Sequence, residues 1–313
     1  MKALVTGAAG FIGSTLSDRL VADGADVVGL DCFTDYYARA VKERNLSGLA
    51  GHARFRFVES AIRDADLPAL LRDRTHVFHL AAQAGVRKSW GRDFAVYTVN
   101  NIEATQLLLE AACAASGLER LVYASSSSVY GDNVAIPMRE DALPQPVSPY
   151  GVTKLAAEQL CHLYYTNYRV PAVSLRYFTV YGPRQRPDMG FHKFLRAAIR
   201  AEPIRVYGDG EQTRDFTFVH DAVNATVAAA VRGVAGRVYN IGGGSRVSVN
   251  HVVEVIGRVT GRQPIVEVES AQPGDMRHTY ADTSLARADL GFQPQISLEE
   301  GLKAEYQWLS GVL

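Results

Sequence analysis

The sequence predicts an α/β protein with a doubly wound parallel sheet, and three observations lead to that class. Short apolar runs at residues 3–5, 27–30, 55–58, 77–80, 121–123 and 172–175 read as strands buried on both faces. Longer amphipathic stretches, such as 102–115 and 150–168, separate several of them, and strands alternating with helices give a sheet covered on each side. A glycine-spaced loop, Thr6-Gly7-Ala8-Ala9-Gly10-Phe11-Ile12-Gly13, follows the first strand and opens a helix.

A chain of 313 residues has room for about two domains by the rough 150-residue prior. Residues 1–175 carry the regular alternation. Beyond 176, Pro183, Pro187, Pro203, Pro264, Pro273 and Pro294 punctuate shorter elements, and we expect a smaller C-terminal α/β substrate domain over 176–313. A segment near 216–240, with a helix at about 221–232, is expected to return to the first domain.

Lys and Arg number 33 against 33 Asp and Glu, so the net charge is zero and neither nucleic acid nor a membrane surface is an expected partner. A composition of 47% hydrophobic and 21% charged residues excludes wholesale disorder. Cys32, Cys113 and Cys161 are odd in number and far apart, which supports neither a disulfide framework nor a metal site. The expected location is cytoplasmic.

Each motif then has its own chemistry. A helix N-terminus exposes unpaired N–H groups and a partial positive charge, which suits a pyrophosphate. Gly7, Gly10 and Gly13 let backbone approach the phosphates and let the helix pack close to the strand. Asp31 ends the second strand, where its carboxylate can accept from an adenosine ribose and repels a 2′-phosphate; NAD is therefore the expected cofactor on a Rossmann fold. Tyr150 and Lys154 stand four apart on a helix that Ser148-Pro149 can start, so their side chains share a face. The run Ser125-Ser126-Ser127-Ser128 follows the fifth strand, at the carboxyl edge where ligands bind such sheets. An ammonium beside a phenol favours phenolate, so Tyr150 can act as general base while hydride leaves carbon for the cofactor, with Ser126 relaying the proton.

Together the glycine loop, the serine run and Tyr150-x-x-x-Lys154 resemble the extended short-chain dehydrogenase/reductases, and among them the nucleotide-sugar epimerases. The resemblance covers essentially the whole chain. It implies cofactor contacts from Gly7, Gly10, Phe11, Ile12, Gly13, Asp31, Ile62, Tyr150, Lys154 and Tyr177. It adds Leu80, Ala81 and Ala82 after His79, and Asn101 on the nicotinamide side. Ser126, Tyr150 and Lys154 become the catalytic set. In Val206-Tyr207-Gly208-Asp209-Gly210-Glu211-Gln212-Thr213-Arg214, Tyr207 is expected near the uracil and Arg214 on the phosphates, where a guanidinium fork suits anionic oxygens. Relatives commonly pair through two long helices, which implies a homodimer.

Local residues choose among relatives. Ser127 and Ser128 stand where related dehydratases carry an acidic pair, so elimination chemistry is not expected. Asp31-Cys32-Phe33-Thr34-Asp35-Tyr36-Tyr37, Gln83-Ala84-Gly85-Val86-Arg87, Thr179 and Arg186-Pro187-Asp188-Met189 are most similar to UDP-glucuronate 4-epimerases. There Arg186, with Ser127 and Ser128, is expected to meet the sugar carboxylate, and Ser127, Ser128, Thr179, Arg186, Tyr207 and Arg214 form the substrate set. Two departures are Ala61, where the family usually has an Asp at the adenine, and the stretch Gly190-Phe191-His192-Lys193-Phe194. Gln272-Pro273-Gly274-Asp275 also fits the family, with Arg277 a candidate for the phosphates. UDP-glucose/UDP-galactose epimerisation is the near alternative, and a non-catalytic NAD-binding regulator the distant one.

Overall fold

A computed structural model describes residues 1–132, 135–270, 272 and 274–313, which leaves Pro273 of the 272–275 motif outside the described residues. The chain opens β1 (Lys2–Thr6), α1 (Phe11–Ala22), β2 (Asp26–Asp31), α2 (Arg39–Leu46), β3 (Phe55–Glu59), α3 (Leu67–Leu71) and β4 (His76–His79). It continues through α4 (Phe94–Tyr97), a π-wound turn at Thr98–Glu103, α5 (Ala104–Cys113), β5 (Arg120–Ser126), α6 (Pro149–Tyr168) and β6 (Ala172–Tyr177). Then follow β7 (Val180–Tyr181), α7 (Gly190–Arg200), β8 (Ile204–Tyr207), β9 (Thr213–Asp215), β10 (Thr217–Phe218), α8 (Val219–Arg232) and β11 (Val238–Ile241). The last elements are β12 (Arg246–Ser248), α9 (Val249–Thr260), β13 (Val266–Glu269), α10 (Ser284–Leu290) and α11 (Leu298–Ser310).

Seven strands form one parallel sheet in the order β11-β6-β5-β4-β1-β2-β3. The chain builds outward from β1 to β3, then crosses to the other side of β1 to place β4. That reversal opens a crevice beyond the carboxyl ends of β1 and β4, where doubly wound sheets bind ligands. The sheet is apolar on both faces because successive side chains alternate. Ala3 and Val5 pack with Leu16 and Leu20 of α1 and with Ala222 and Val223 of α8. Leu4 points the other way, with Val77 and Tyr123, towards Leu108 and Leu109 of α5 and Cys161 of α6.

Beyond β6, three two-stranded sheets form instead of one: β7 with β10, β9 with β12, and β8 with β13. Helices α7, α9 and α11 pack on one another beside them. Helix α6 starts as its sequence predicts, with Ser148 capping the Gly151 N–H at 3.1 Å and Pro149 at the first position. The stretch read as a helix over 102–115 begins with the π-wound turn, and its regular part ends at Cys113. No helix of the described residues is long and apolar enough to cross a membrane.

Candidate active site

A cavity of about 820 Å³ opens at the crevice, and most of the expected residues line it. On the nucleotide side are Gly7, Gly10, Phe11, Ile12, Gly13, Asp31, Ile62, Leu80, Ala81 and Ala82. Gly7 adopts φ +71°, and a Cβ there would stand 2.8 Å from the Ala81 nitrogen. A methyl at Gly13 would collide with the Gly7 carbonyl, so α1 can meet the loop only as glycine. Asp31 Oδ2 accepts from the Ala9 N–H at 3.1 Å and Oδ1 from Phe33 at 2.9 Å, which fixes the carboxylate at the cavity edge. These residues fit a dinucleotide: a bare-backbone cradle at a helix start, with an acid held beside it. Ala61 lines the same wall beside Ile62, offering a methyl where the family's carboxylate is expected.

His79 fastens this crevice. Its Nδ1 meets Thr6 Oγ1 at 2.8 Å and its Nε2 meets Thr105 Oγ1 at 2.9 Å, joining β4 to β1 and α5. Burial pushes the imidazole down to about 3, so it stays neutral.

Ser126, Tyr150, Lys154 and Tyr177 line the cavity farther in. The Tyr150 phenol is pushed up by burial and drawn back by a hydrogen bond with Ser126 and by the Arg186 guanidinium. The four-residue spacing assigns the acidifying role to Lys154. In the structure Lys154 Nζ lies 4.5 Å from the Tyr123 ring centroid, and Arg186 is the cation that acts on the phenol. Burial pushes the Lys154 ammonium down to about 7. Among the described residues nothing accepts a hydrogen bond from Nζ, so this buried donor suits a ligand rich in hydroxyls, such as a ribose.

Asn101 stands behind the wall and not in it. Its Oδ1 accepts from the Gln83 N–H at 2.7 Å, while Nδ2 donates to the Gln83 carbonyl at 3.0 Å and to Thr153 Oγ1 at 2.9 Å. Both ends are spent bracing the 80–85 segment against α6, which makes Asn101 a positioning residue here.

Ser127, Ser128, Thr179 and Arg186, the residues expected to meet the sugar, all line the same cavity. Arg186 lies in the loop before α7 and forks onto Asp188, Nε to Oδ1 at 3.0 Å and Nη2 to Oδ2 at 2.9 Å. Ser127, Ser128 and Thr179 also line an adjoining cavity of about 140 Å³ with Arg214, Gly274 and Asp275. There Arg214 Nη1 donates to the carbonyls of Thr213 and Arg277, at 2.9 and 3.3 Å. Tyr207 lies outside both linings, its ring under the Arg87 guanidinium at 4.1 Å. Arg277 is engaged elsewhere, forked onto Asp209 at 2.7 and 2.9 Å.

Sequence reasoning missed the support beneath the serine run. Ser125 Oγ donates to Glu158 Oε2 at 2.6 Å, and Arg176 holds the same carboxylate at 2.6 and 3.0 Å. The pair is buried, with side chains 2% and 4% exposed. A signal existed: Glu158 is one turn after Lys154 on α6, and Arg176 puts a charge into a buried strand.

A parallel sheet with a glycine cradle at its switch point, and a tyrosine and a lysine one helical turn apart facing that crevice, defines an NAD-dependent enzyme of the short-chain dehydrogenase type. The NAD dependent epimerase/dehydratase family matches residues 3–242, and the chain belongs to it. It is 43% identical over 314 aligned residues to an uncharacterized UDP-glucose epimerase of Bacillus subtilis, spanning 100% of this chain and 99% of that protein. A UDP-glucuronate 4-epimerase of Thermodesulfobacterium geofontis is 37% identical over 310 residues, or 97% and 95% of the two chains. Among solved structures, the UDP-glucuronic acid 4-epimerase of Bacillus cereus in complex with UDP-glucuronic acid and NAD is similar at 44% identity and a TM-score of 0.97, over the full length of both chains.

Proposed function

We propose that this protein is an NAD-dependent UDP-sugar 4-epimerase that interconverts UDP-glucuronate and UDP-galacturonate. The observation that carries this reading is Arg186 on the same cavity as Ser127, Ser128, Thr179, Tyr150 and Lys154. That arrangement sets a cation and hydroxyl donors for a sugar carboxylate beside a phenol that can take a proton. Likeness to UDP-glucuronate 4-epimerases over nearly the whole chain supports it.

Bound NAD supplies a hydride acceptor at C4 and the donor that returns it. Tyr150 takes the O4 proton as the 4-keto sugar forms and returns it after the sugar has turned its other face. Ser126, whose Oγ accepts from the Ser128 N–H at 3.1 Å, orients the phenol. Lys154 holds the ribose hydroxyls, and those acceptors restore its ammonium. Arg214, on the adjoining cavity, keeps hold of the UDP half while the sugar half moves. The 4-keto uronate is a β-keto acid, which loses CO₂ if its carboxylate stands perpendicular to the ring carbonyl; Arg186, Ser127 and Ser128 hold it out of that geometry.

Epimerisation of neutral UDP-hexoses is the second reading, favoured by the Asp188 carboxylate that offsets Arg186. Incubating the protein with UDP-glucuronate and with UDP-glucose separately, and resolving the C4 epimers, decides between them. A higher kcat/KM for the neutral sugar refutes the uronate assignment. A cytoplasmic setting suits its three free cysteines, and pairing of two copies as a homodimer completes the reading.

A further inference from the structure

Arg186 is a cation whose charge is largely answered within the protein. Its guanidinium offers two forks: one edge made by Nε and Nη2, the other by Nη1 and the second Nη2 proton. Asp188 takes the first edge at 2.9 and 3.0 Å. Nη1 donates to no described residue. The pair is partly buried, with side chains 20% and 26% exposed, so its field is only partly screened by water. Burial works against an ionised Asp188, but the adjacent Arg186 and then Lys193 hold its carboxyl below the ordinary value. The Tyr36 hydroxyl donates to Asp188 Oδ2 at 3.4 Å, and Tyr36 in turn lines the main cavity. The carboxylate is therefore held by hydrogen bonds from two side chains, Arg186 and Tyr36.

A sugar carboxylate arriving at the free edge would face a guanidinium already paired, with a second carboxylate on its far side. A neutral sugar would meet no such repulsion and would find a hydrogen-bonding edge. We propose that Asp188 is the residue that sets how strongly this site prefers an acidic sugar over a neutral one, by offsetting the charge of Arg186 while leaving its outer fork free. The inference rests on the reading that Arg186 faces the sugar carboxylate. Asp188 acts through Arg186, and its effect is on selectivity more than on the chemical step.

The test is the ratio of kcat/KM for UDP-glucuronate to that for UDP-glucose in wild type and in Asp188→Asn. Asparagine keeps the shape and one acceptor oxygen and removes the charge. The ratio should rise roughly tenfold, the scale of two carboxylates separated by one guanidinium in a partly screened site. Most of the gain should appear in KM for the acidic sugar, and it should shrink in high salt. Asp188→Ser carries the same test if the asparagine variant does not fold. A wild-type enzyme with no uronate turnover overturns the functional reading and this inference with it. A uronate-active wild type whose ratio in the variant stays within about twofold, or falls, overturns this inference alone, because Asp188 would then serve only to aim Arg186.

Discussion

Lys154 pays for its position, and the cost can be measured. It is 3% exposed, with Nζ over the Tyr123 ring at 4.5 Å and no hydrogen-bond acceptor among the described residues. Its pKa falls from 10.5 to about 7, chiefly by desolvation. Below about pH 7 the lysine is charged both folded and unfolded, and the folded state bears the full penalty. Between 7 and 10.5 the unfolded chain binds the extra proton, so stability rises with pH; above 10.5 the penalty is gone. At about 1.36 kcal/mol per unit, moving from pH 6 to pH 10 should recover up to about 4 kcal/mol. Water reaching Nζ from the cavity lowers that to about 2–4 kcal/mol. Lys154→Met keeps the aliphatic bulk and cannot titrate. Urea unfolding of both proteins at pH 6, 8 and 10, freed of nucleotide, should therefore give a stability difference that favours methionine most at pH 6 and closes with rising pH. Two curves that run parallel to within about 0.5 kcal/mol would refute the argument.

Three further outcomes follow from the same geometry. Tyr150→Phe should abolish turnover and leave NAD binding, read by isothermal titration, nearly unchanged; activity within about tenfold of wild type removes Tyr150 as the base. Arg186→Ala should lower uronate turnover and release a UDP-pentose detectable by mass spectrometry, and unchanged turnover without that product contradicts its role. Glu158→Gln leaves the Arg176 guanidinium buried against a neutral partner and should cost about 3–5 kcal/mol in denaturant unfolding, while a loss under about 1 kcal/mol means that water enters beneath the serine run.

The parts of this molecule legible in the sequence are those governed by short-range rules. Gly7, Gly10 and Gly13 announce a strand-to-helix turn because a side chain at these positions meets backbone, and Ser148-Pro149 announces the start of α6 because cap chemistry is local. The alternation of Ala3, Leu4 and Val5 between the two cores follows from the strand period. What stayed hidden depends on partners far along the chain or on the balance of burial against charge. Tyr36 reaches Asp188 across 152 positions, and no spacing rule predicts that contact. Asn101 is a polar residue in the expected neighbourhood, yet its three hydrogen bonds turn it to the scaffold. Lys154 keeps its place, but a four-residue spacing does not show that its Nζ lies over the Tyr123 ring or that Arg186 is the cation drawing down the Tyr150 phenol.

The link made by His79 between Thr6 and Thr105 separates two kinds of tolerance in this molecule. Since the ring takes up no proton until about pH 3, mild acid cannot unfasten the seam between the two halves of the sheet. The floor beneath the ligand is thus insulated from acidity, whereas the site above it, with its ion pairs and buried Lys154, answers to it. Acidic conditions should blunt this protein by altering what it can grip long before they disturb the platform on which gripping takes place.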